Sequence, residues 1–180
     1  MIRITSNYLR KADIALLKRY CNFVMLRMIR PGQLRKANIN IQILKDEDLD
    51  HKDDSFDLKE YGAWVTYDGV YEGKKRFSMV LNARRINRRA KKPIPRLKSL
   101  LLDSAHELVH IKQYLNNELF DYVDGKARYK GEVFPLGHSD NEEAYYDSPW
   151  EIEAYGREYG MYKLFSKKLK QEQKLKNNKK

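Results

Sequence analysis

Two histidines that stand four positions apart, His106 and His110, are the residues of this chain best placed to bind a metal ion. Residues i and i+4 of a helix project from the same face, so two imidazoles at this spacing can share one zinc ion at about 2 Å. Glu107 follows the first histidine, where its carboxylate can take a proton from activated water and pass it to a leaving amine. The pentapeptide therefore predicts a zinc centre with Glu107 as general base.

The residues around this pentapeptide favour a helix. Apolar residues recur at alternating spacings of four and three between Leu97 and Leu115, which is the pattern of a helix with one face in the core. His106 and His110 lie away from that stripe. The spacing of the two histidines is therefore expected to be realised on a helix.

A catalytic zinc site needs a third protein ligand and leaves one position for water. His138 is available, but it stands alone in the glycine-containing segment Leu136–Ser139, where histidines are usually solvated. The better candidates are the acidic residues of a final helix that is expected to begin at Ser148-Pro149.

Two glutamates of this helix compete for the metal. Ser148 and Glu151 have the spacing of a capping box, which gives Glu151 a role at the helix N-terminus. Glu153 has no such role, and Gly156 and Gly160 on its face would let the helix come close to the two histidines. We predict that Glu153 is the third ligand and that Glu151 is the reserve.

His106-Glu107-x-x-His110, followed by a helix that carries Glu153-Ala154, resembles the gluzincin group of zinc metallopeptidases. The segment Pro149–Ala154 is also similar to short HExxH proteins of bacteria and phages. The resemblance covers about residues 97–165 and implies zinc-dependent hydrolysis of peptide bonds, with the helix glutamate as third ligand. Arg157 replaces an aspartate that the best-known members carry four residues after that glutamate.

The resemblance has further implications for the substrate. It implies that the strand Phe77–Leu81 is a sheet edge along which an extended peptide pairs. Tyr145 or Tyr146 would stabilise the oxyanion. In place of the missing aspartate, Asp103 or Asp147 is expected to support the first histidine.

An α+β domain of zincin-like fold is expected to position these residues. It would consist of an N-terminal helix, a small mainly antiparallel sheet, the active-site helix and a C-terminal helix with the third ligand. The elements expected before the motif are a helix over residues 8–30 and strands at Ile39–Ile43, Gly62–Val70 and Arg76–Leu81. Residues 45–60 and 116–147 are expected to be loops.

One domain over residues 1–165 is expected, because the final helix should end near Phe165 and the basic tail 166–180 has little apolar area with which to fold. The single cysteine, Cys21, lies in an apolar run and is expected to be a core thiol. We find neither a signal peptide nor a run of 18 apolar residues, which predicts a cytoplasmic protein without a membrane segment.

The net charge of +11 is concentrated in two stretches. Residues 84–98 contain eight basic side chains and no acid, and residues 163–180 contain eight lysines and one glutamate. Basic runs bind phosphates without reading sequence. The first hypothesis is a zinc metallopeptidase that acts on a peptide or protein. The alternative is a nucleic-acid-associated protein that binds through Arg84–Lys98 and the lysine-rich tail, with a structural or vestigial zinc site.

Overall fold

A four-stranded sheet forms the base of the fold, with the strand order β1-β2-β4-β3. The strands are β1 (Ile2–Ser6), β2 (Ala37–Leu44), β3 (Ala63–Tyr71) and β4 (Lys74–Asn82). β1, β2 and β4 run parallel, and β3 runs antiparallel to β4. This computed structural model describes residues 1–48, 62–122, 125–135 and 142–178.

The sheet is mixed, so the prediction of a mainly antiparallel sheet is wrong. The difference comes from β1, a short N-terminal strand that the sequence pattern did not reveal. Helix α1 (Lys11–Met28) connects β1 to β2, and a crossover of this kind places the two strands parallel. The strands expected at Gly62–Val70 and Arg76–Leu81 are present as the antiparallel hairpin of β3 and β4. Its turn, Glu72-Gly73, has φ angles of 50° and 70°, the left-handed backbone that two-residue hairpin turns require.

The helices cover one face of the sheet. Alternate residues of β2 are buried at Ala37, Ile39, Ile41 and Ile43, whereas Asn40 and Gln42 between them are exposed. This alternation is the period of a strand with one face in the core. The described helices after α1 are α2 (Pro31–Leu34), α3 (Pro93–Arg96), α4 (Lys98–Leu115), α5 (Glu142–Tyr146) and α6 (Pro149–Asn177). The α+β class predicted from sequence is thus confirmed.

Helix α4 lies at the centre of the helical layer, where it contacts α1, α6, β3 and β4. Its predicted apolar stripe is buried, with Leu101, Leu108 and Ile111 fully inaccessible to solvent. The opposite side of α4 is covered by α6. Both sides of α4 are therefore enclosed, and the pentapeptide lies at its contact with α6.

A second sheet of three antiparallel strands occupies part of the region predicted to be loops. Its strands are β5 (Leu119–Asp121), β6 (Lys126–Tyr129) and β7 (Glu132–Pro135). The turn Lys130-Gly131 joins β6 to β7 with φ angles of 49° and 98°. Ala127 and Tyr129 pack with Trp150 in a small apolar cluster beside the first turn of α6. The strands are too short to give a clear sequence pattern, and this cluster stabilises them.

The prediction that the last helix ends near Phe165 and is followed by a disordered tail is wrong, because α6 continues to Asn177. Leu169 packs against the main core, and Arg19 of α1 forms an ion pair with Glu172. Lysine, glutamine, glutamate and leucine are also good helix formers. These contacts and propensities extend the helix beyond the last buried aromatic residue.

Most of the expected acidic loop 45–60 lies outside the described residues, which include a short 3₁₀ turn at Asp46–Asp48. Cys21 is buried in α1, as predicted. Among the described helices, none has the length and apolar character needed to cross a bilayer.

The contact of α6 with α1 generates a prediction about stability. Phe165 is fully buried, with its ring centroid 5.0 Å from that of Tyr20 and 5.3 Å from that of Phe23. Replacement of a buried phenylalanine by alanine leaves a cavity, so Phe165→Ala should lower the free energy of unfolding by about 3–5 kcal/mol in chemical denaturation. Leu175→Ala, at a position 62% exposed, is the control and should change it by less than about 0.5 kcal/mol. Equal effects of the two variants would contradict the packing of α6.

Candidate metal centre

The metal-binding pentapeptide is buried at the contact between α4 and α6. His106, Glu107 and His110 expose only 7%, 7% and 8% of their surface. The two helices run antiparallel here, because Gln113 of α4 contacts Trp150 near the start of α6, while His106 lies beside Glu158, two turns further along α6. This packing removes three titratable side chains from water.

Three donor atoms converge between the helices: Nε2 of His106, Nε2 of His110 and the carboxylate of Glu151. The two Nε2 atoms lie 3.2 Å apart. Glu151 places Oε2 3.1 Å from His106 Nε2 and Oε1 3.3 Å from His110 Nε2. Glu151 is itself only 5% exposed. Within the described part of the chain, this is the group of side chains whose donor atoms lie close enough to hold a metal ion.

The spacing of these atoms fits a small cation. Donors at about 2.0–2.1 Å from a tetrahedral ion are about 3.3 Å from one another, close to the 3.1–3.3 Å found here. Glu151 Oε2 is also buried without a hydrogen bond, despite its short distance to His106. A buried carboxylate oxygen without a hydrogen-bond donor is costly, and a cation between the three groups would satisfy it. Two imidazoles and one carboxylate suit zinc or ferrous iron.

Gln113 sets the orientation of the second histidine. Its side-chain amide donates to the carbonyl of Trp150 at 3.0 Å, so its Oε1 is directed at His110 Nδ1, also 3.0 Å away. His110 must then carry its proton on Nδ1 and keep the lone pair of Nε2 for a metal. A hydrogen bond of this kind holds a ligating ring in position.

The first histidine is held differently. Glu158 Oε2 lies 3.3 Å from His106 Nδ1, and the ring of Tyr155 packs edge-on against the imidazole, with 4.5 Å between centroids. Asp103, expected in this supporting role, instead forms an ion pair with Arg85. No described contact joins Asp147 to the ring. Glu158 therefore lies in the supporting place, although His106 Nδ1 forms no hydrogen bond with it.

The charges of the site favour a cation. Burial by itself would lower the pKa of His106, but the carboxylates of Glu151 and Glu158 raise it, to about 10. Burial would also lower the pKa of His110, but the carboxylates of Glu151 and Glu107 raise it above its ordinary value. Burial would raise the pKa of Glu151, yet the two histidines lower it to about 2. The cluster thus stabilises positive charge on or between its imidazoles.

The carboxyl group of Glu107 is buried beside the cluster of His106, His110 and Glu151. Burial raises its pKa, an effect that His110 and His106 oppose and Glu151 reinforces. The phenol of Tyr145 is close enough to Glu151 and Glu107 that, after burial, their charges raise its pKa as well. Tyr146 is 52% exposed and packs on Tyr155. Of the two nominated tyrosines, Tyr145 is therefore the one at the cluster.

The structure does not bring Glu153 to the histidines, so its assignment as third ligand is corrected to Glu151. Glu153 accepts hydrogen bonds from Lys112 at 2.8 Å, Tyr129 at 2.7 Å and Arg157 at 2.9 Å. Burial would raise the pKa of Glu153, but Lys112 and Tyr129 lower it to about 2. Residues that are two positions apart on a helix are separated by about 200° of rotation, so Glu151 and Glu153 lie on opposite faces of α6.

The two sequence features that favoured Glu153 as a ligand, the capping box and the nearby glycines, do not have the expected roles in the structure. Ser148 precedes α6 without a side-chain capping bond, and its hydroxyl donates to the carbonyl of Ala144, so Glu151 has no capping duty. Gly156 and Gly160 lie on the exposed face of α6, where an added Cβ would meet no atom within 4 Å. His138, the other alternative, lies outside the described residues.

Two supporting residues were missed, although the sequence contains a signal for each. Glu158 follows Glu151 by seven residues and Gln113 follows His110 by three, so each shares a helix face with a ligand. The edge strand was also misplaced. β4, which contains Phe77–Leu81, pairs on both sides, and the edges of the described four-stranded sheet are β1 and β3.

Comparisons of the chain with protein-family models, with curated proteins and with solved structures give no match. Its function is therefore argued from the site itself.

Separate replacement of Glu151 and Glu153 by alanine tests which of them is the metal ligand. Glu151→Ala should weaken zinc binding by at least about a hundredfold, because loss of an outer hydrogen-bond partner alone typically costs about 10–100-fold. Glu153→Ala should keep most of the affinity and lose about 2 kcal/mol of stability, because buried Lys112 loses a charged partner. Competition titrations with a chromophoric chelator measure the first quantity, and denaturation measures the second. The reverse order of zinc affinities would refute the assignment.

The role of Gln113 can be tested with Gln113→Leu, which keeps the volume and removes the acceptor for His110 Nδ1. We expect zinc affinity to fall about 10–100-fold while the fold is retained. Asn116→Ala is the matched control, since it removes hydrogen bonds to Gln33 and Glu118 near the same end of α4 without contacting the histidines. Unchanged affinity in folded Gln113→Leu would show that this contact does not orient the ring.

Proposed function

We propose that this chain is a zinc-dependent hydrolase of peptide bonds with a zincin-like fold. His106, His110 and Glu151 would hold the ion, and Glu107 would be the general base. The observation that carries the proposal is the buried set of two Nε2 atoms and a carboxylate, 3.1–3.3 Å apart, with a second buried glutamate beside it. The sequence resemblance to gluzincins supports the same chemistry, with the ligand two residues earlier than it implied.

Glu107 has the properties of a base for this reaction. When bound, zinc supplies a Lewis acid that makes water a nucleophile near neutral pH. Glu107 would accept a proton from the attacking water and return it to the leaving amine. Its carboxyl is shielded from solvent, and burial moves its pKa upward, toward the range in which a carboxylate takes up and releases protons efficiently.

Tyr145 is the donor proposed for the oxyanion. Its hydroxyl lies near Glu151 and Glu107, and burial keeps the pKa of the phenol above its ordinary value, so the group stays protonated. A protonated phenol at the cluster can donate a hydrogen bond to the carbonyl oxygen as negative charge develops there.

The open side of β3 is the proposed binding edge for the substrate. Among the described strands, β3 pairs with β4 on one side only, and α4 packs against both. An extended peptide can add to such an edge through main-chain hydrogen bonds. This replaces the role first assigned to Phe77–Leu81, which lies within the interior strand β4.

A structural ion is the competing hypothesis, and the donor set weighs against it. Structural zinc sites generally use four protein ligands, often cysteines. The cluster in the described residues has three donors and no sulfur, and Cys21 is buried in α1. Three ligands and an adjacent buried glutamate match the composition of a catalytic site.

Glu107→Gln tests the proposal, since the amide keeps the shape of the side chain but cannot accept a proton. We expect zinc content and thermal stability close to those of the parent chain, and peptide hydrolysis reduced by at least about a hundredfold. Cleavage of a fluorogenic peptide library by zinc-loaded protein is the measurement, and Glu132→Gln, at an exposed position of β7, is the charge-matched control. Undiminished cleavage by Glu107→Gln, or a zinc-loaded parent chain that hydrolyses no peptide, would overturn the proposal.

A further inference from the structure

The segment 84–92 is an ordered basic loop. The side-chain oxygens of Asn82 and Asn87 accept hydrogen bonds from the backbone N–H groups of Arg84 and Arg89, respectively. The backbone N–H of Asn87 donates to the carbonyl of Arg96 at 2.9 Å. Ile86 is buried and anchors the segment. The basic side chains that project from it are exposed: Arg84, Arg85, Arg88, Arg89, Lys91 and Lys92. Because the backbone of this loop is already ordered, little backbone entropy would be lost on binding.

The second half of α6 carries a separate row of positive charge. Lys163, Lys167, Lys170 and Lys174 follow one another at spacings of four, three and four, so they lie on one face of the helix. All four are exposed, whereas Phe165 on the opposite face is buried. The row spans about 16 Å of helix, close to five base-pair steps of a duplex at about 3.4 Å each.

The fold brings the loop and this row to the same end of the molecule. Arg96 forms an ion pair with Asp13 in the first turn of α1, and Arg19, less than two turns later, pairs with Glu172 of α6. Since α6 runs antiparallel to α1, the last turns of α6 approach the level of Asp13 and Arg96. Lys170 and Lys174, on either side of Glu172, are the members of the row that lie at this end. Two basic segments that are distant in sequence therefore form one basic end.

This basic end offers much charge and little surface for base stacking. One exposed ring, that of Tyr159, lies a turn before the lysine row, with Lys163 Nζ 5.1 Å from its centroid. Among the described residues, Arg88, Arg89, Lys91 and Lys92 form no ion pair, and the acids Asp13 and Glu172 are already paired. The segment 84–98 has no aromatic residue, and Phe165, the aromatic residue of 163–177, is buried. Unpaired bases are held mainly by aromatic stacking, so phosphates of a duplex are the better partner.

We propose that the basic end, formed by loop 84–92 and the lysine row of α6, binds the phosphate backbone of a nucleic-acid duplex without reading its sequence. Arg85 pairs with Asp103, one turn before His106 on α4, so the bound duplex lies beside the metal cluster. The proposal depends on surface charge and not on hydrolysis, and it stands whether or not the chain cleaves peptides.

Fluorescence anisotropy of the full chain with a labelled duplex of about 20 base pairs tests it, with a dissociation constant on the order of micromolar expected at moderate salt. Affinity should fall steeply between about 50 mM and 200 mM salt. The loop variant Arg88→Glu/Arg89→Glu/Lys91→Glu and the helix variant Lys167→Glu/Lys170→Glu/Lys174→Glu should each lose at least about tenfold and flatten the salt slope. DNA and RNA duplexes should bind within a few-fold of each other.

The matched control is Arg35→Glu/Lys36→Glu/Lys74→Glu, which makes the same charge change at the other ends of β2 and β4, about 25 Å away. It should change affinity by less than about threefold, and Glu107→Gln should bind as the parent does. Equal losses in the control and the two test variants would overturn the proposal. So would tighter binding of single strands, equal binding to vesicles of anionic lipid, or the absence of salt-dependent binding.

Discussion

The packing of α4 against α6 is the constraint on which the rest of the structure depends. It encloses two imidazoles and a carboxylate so that each exposes less than a tenth of its surface to water, and their donor atoms lie 3.1–3.3 Å apart. A buried carboxylate oxygen without a hydrogen bond would destabilise this contact. A cation held between the helices would remove that cost, and metal binding would then be coupled to the association of α4 with α6.

The elements around this contact hold it in register. The small sheet β5–β7 packs Tyr129 against Trp150 at the start of α6, and Gln113 ties the same turn to the second histidine. Lys112, buried on α4, pairs with Glu153 on the opposite side of α6 from the cluster. An apolar contact, a neutral hydrogen bond and an ion pair therefore fix the rotation of α6 that directs Glu151 inward.

Local periodicity predicted the elements that follow a strong pattern: α1, α4, β2 and the hairpin β3–β4. Local periodicity did not predict the features that depend on contacts between residues distant in sequence. β1 depends on pairing with β2, and the extension of α6 depends on contacts with α1. The choice between two glutamates on one helix depends on how that helix is rotated, which the capping pattern misrepresented because Ser148 donates backward to Ala144. The spacing of His106 and His110 needed no tertiary information, and the structure brings both to one site.

The central claim is that His106, His110 and Glu151 bind one ion through two nitrogens and one carboxylate. X-ray absorption spectroscopy of the zinc-loaded chain tests it directly, because scattering from imidazole, oxygen and sulfur can be distinguished. The account predicts one zinc per chain with two imidazoles and oxygen ligands at about 2.0–2.1 Å, and no sulfur. A spectrum with sulfur ligands or a single imidazole, or a chain that retains no stoichiometric ion, would contradict it.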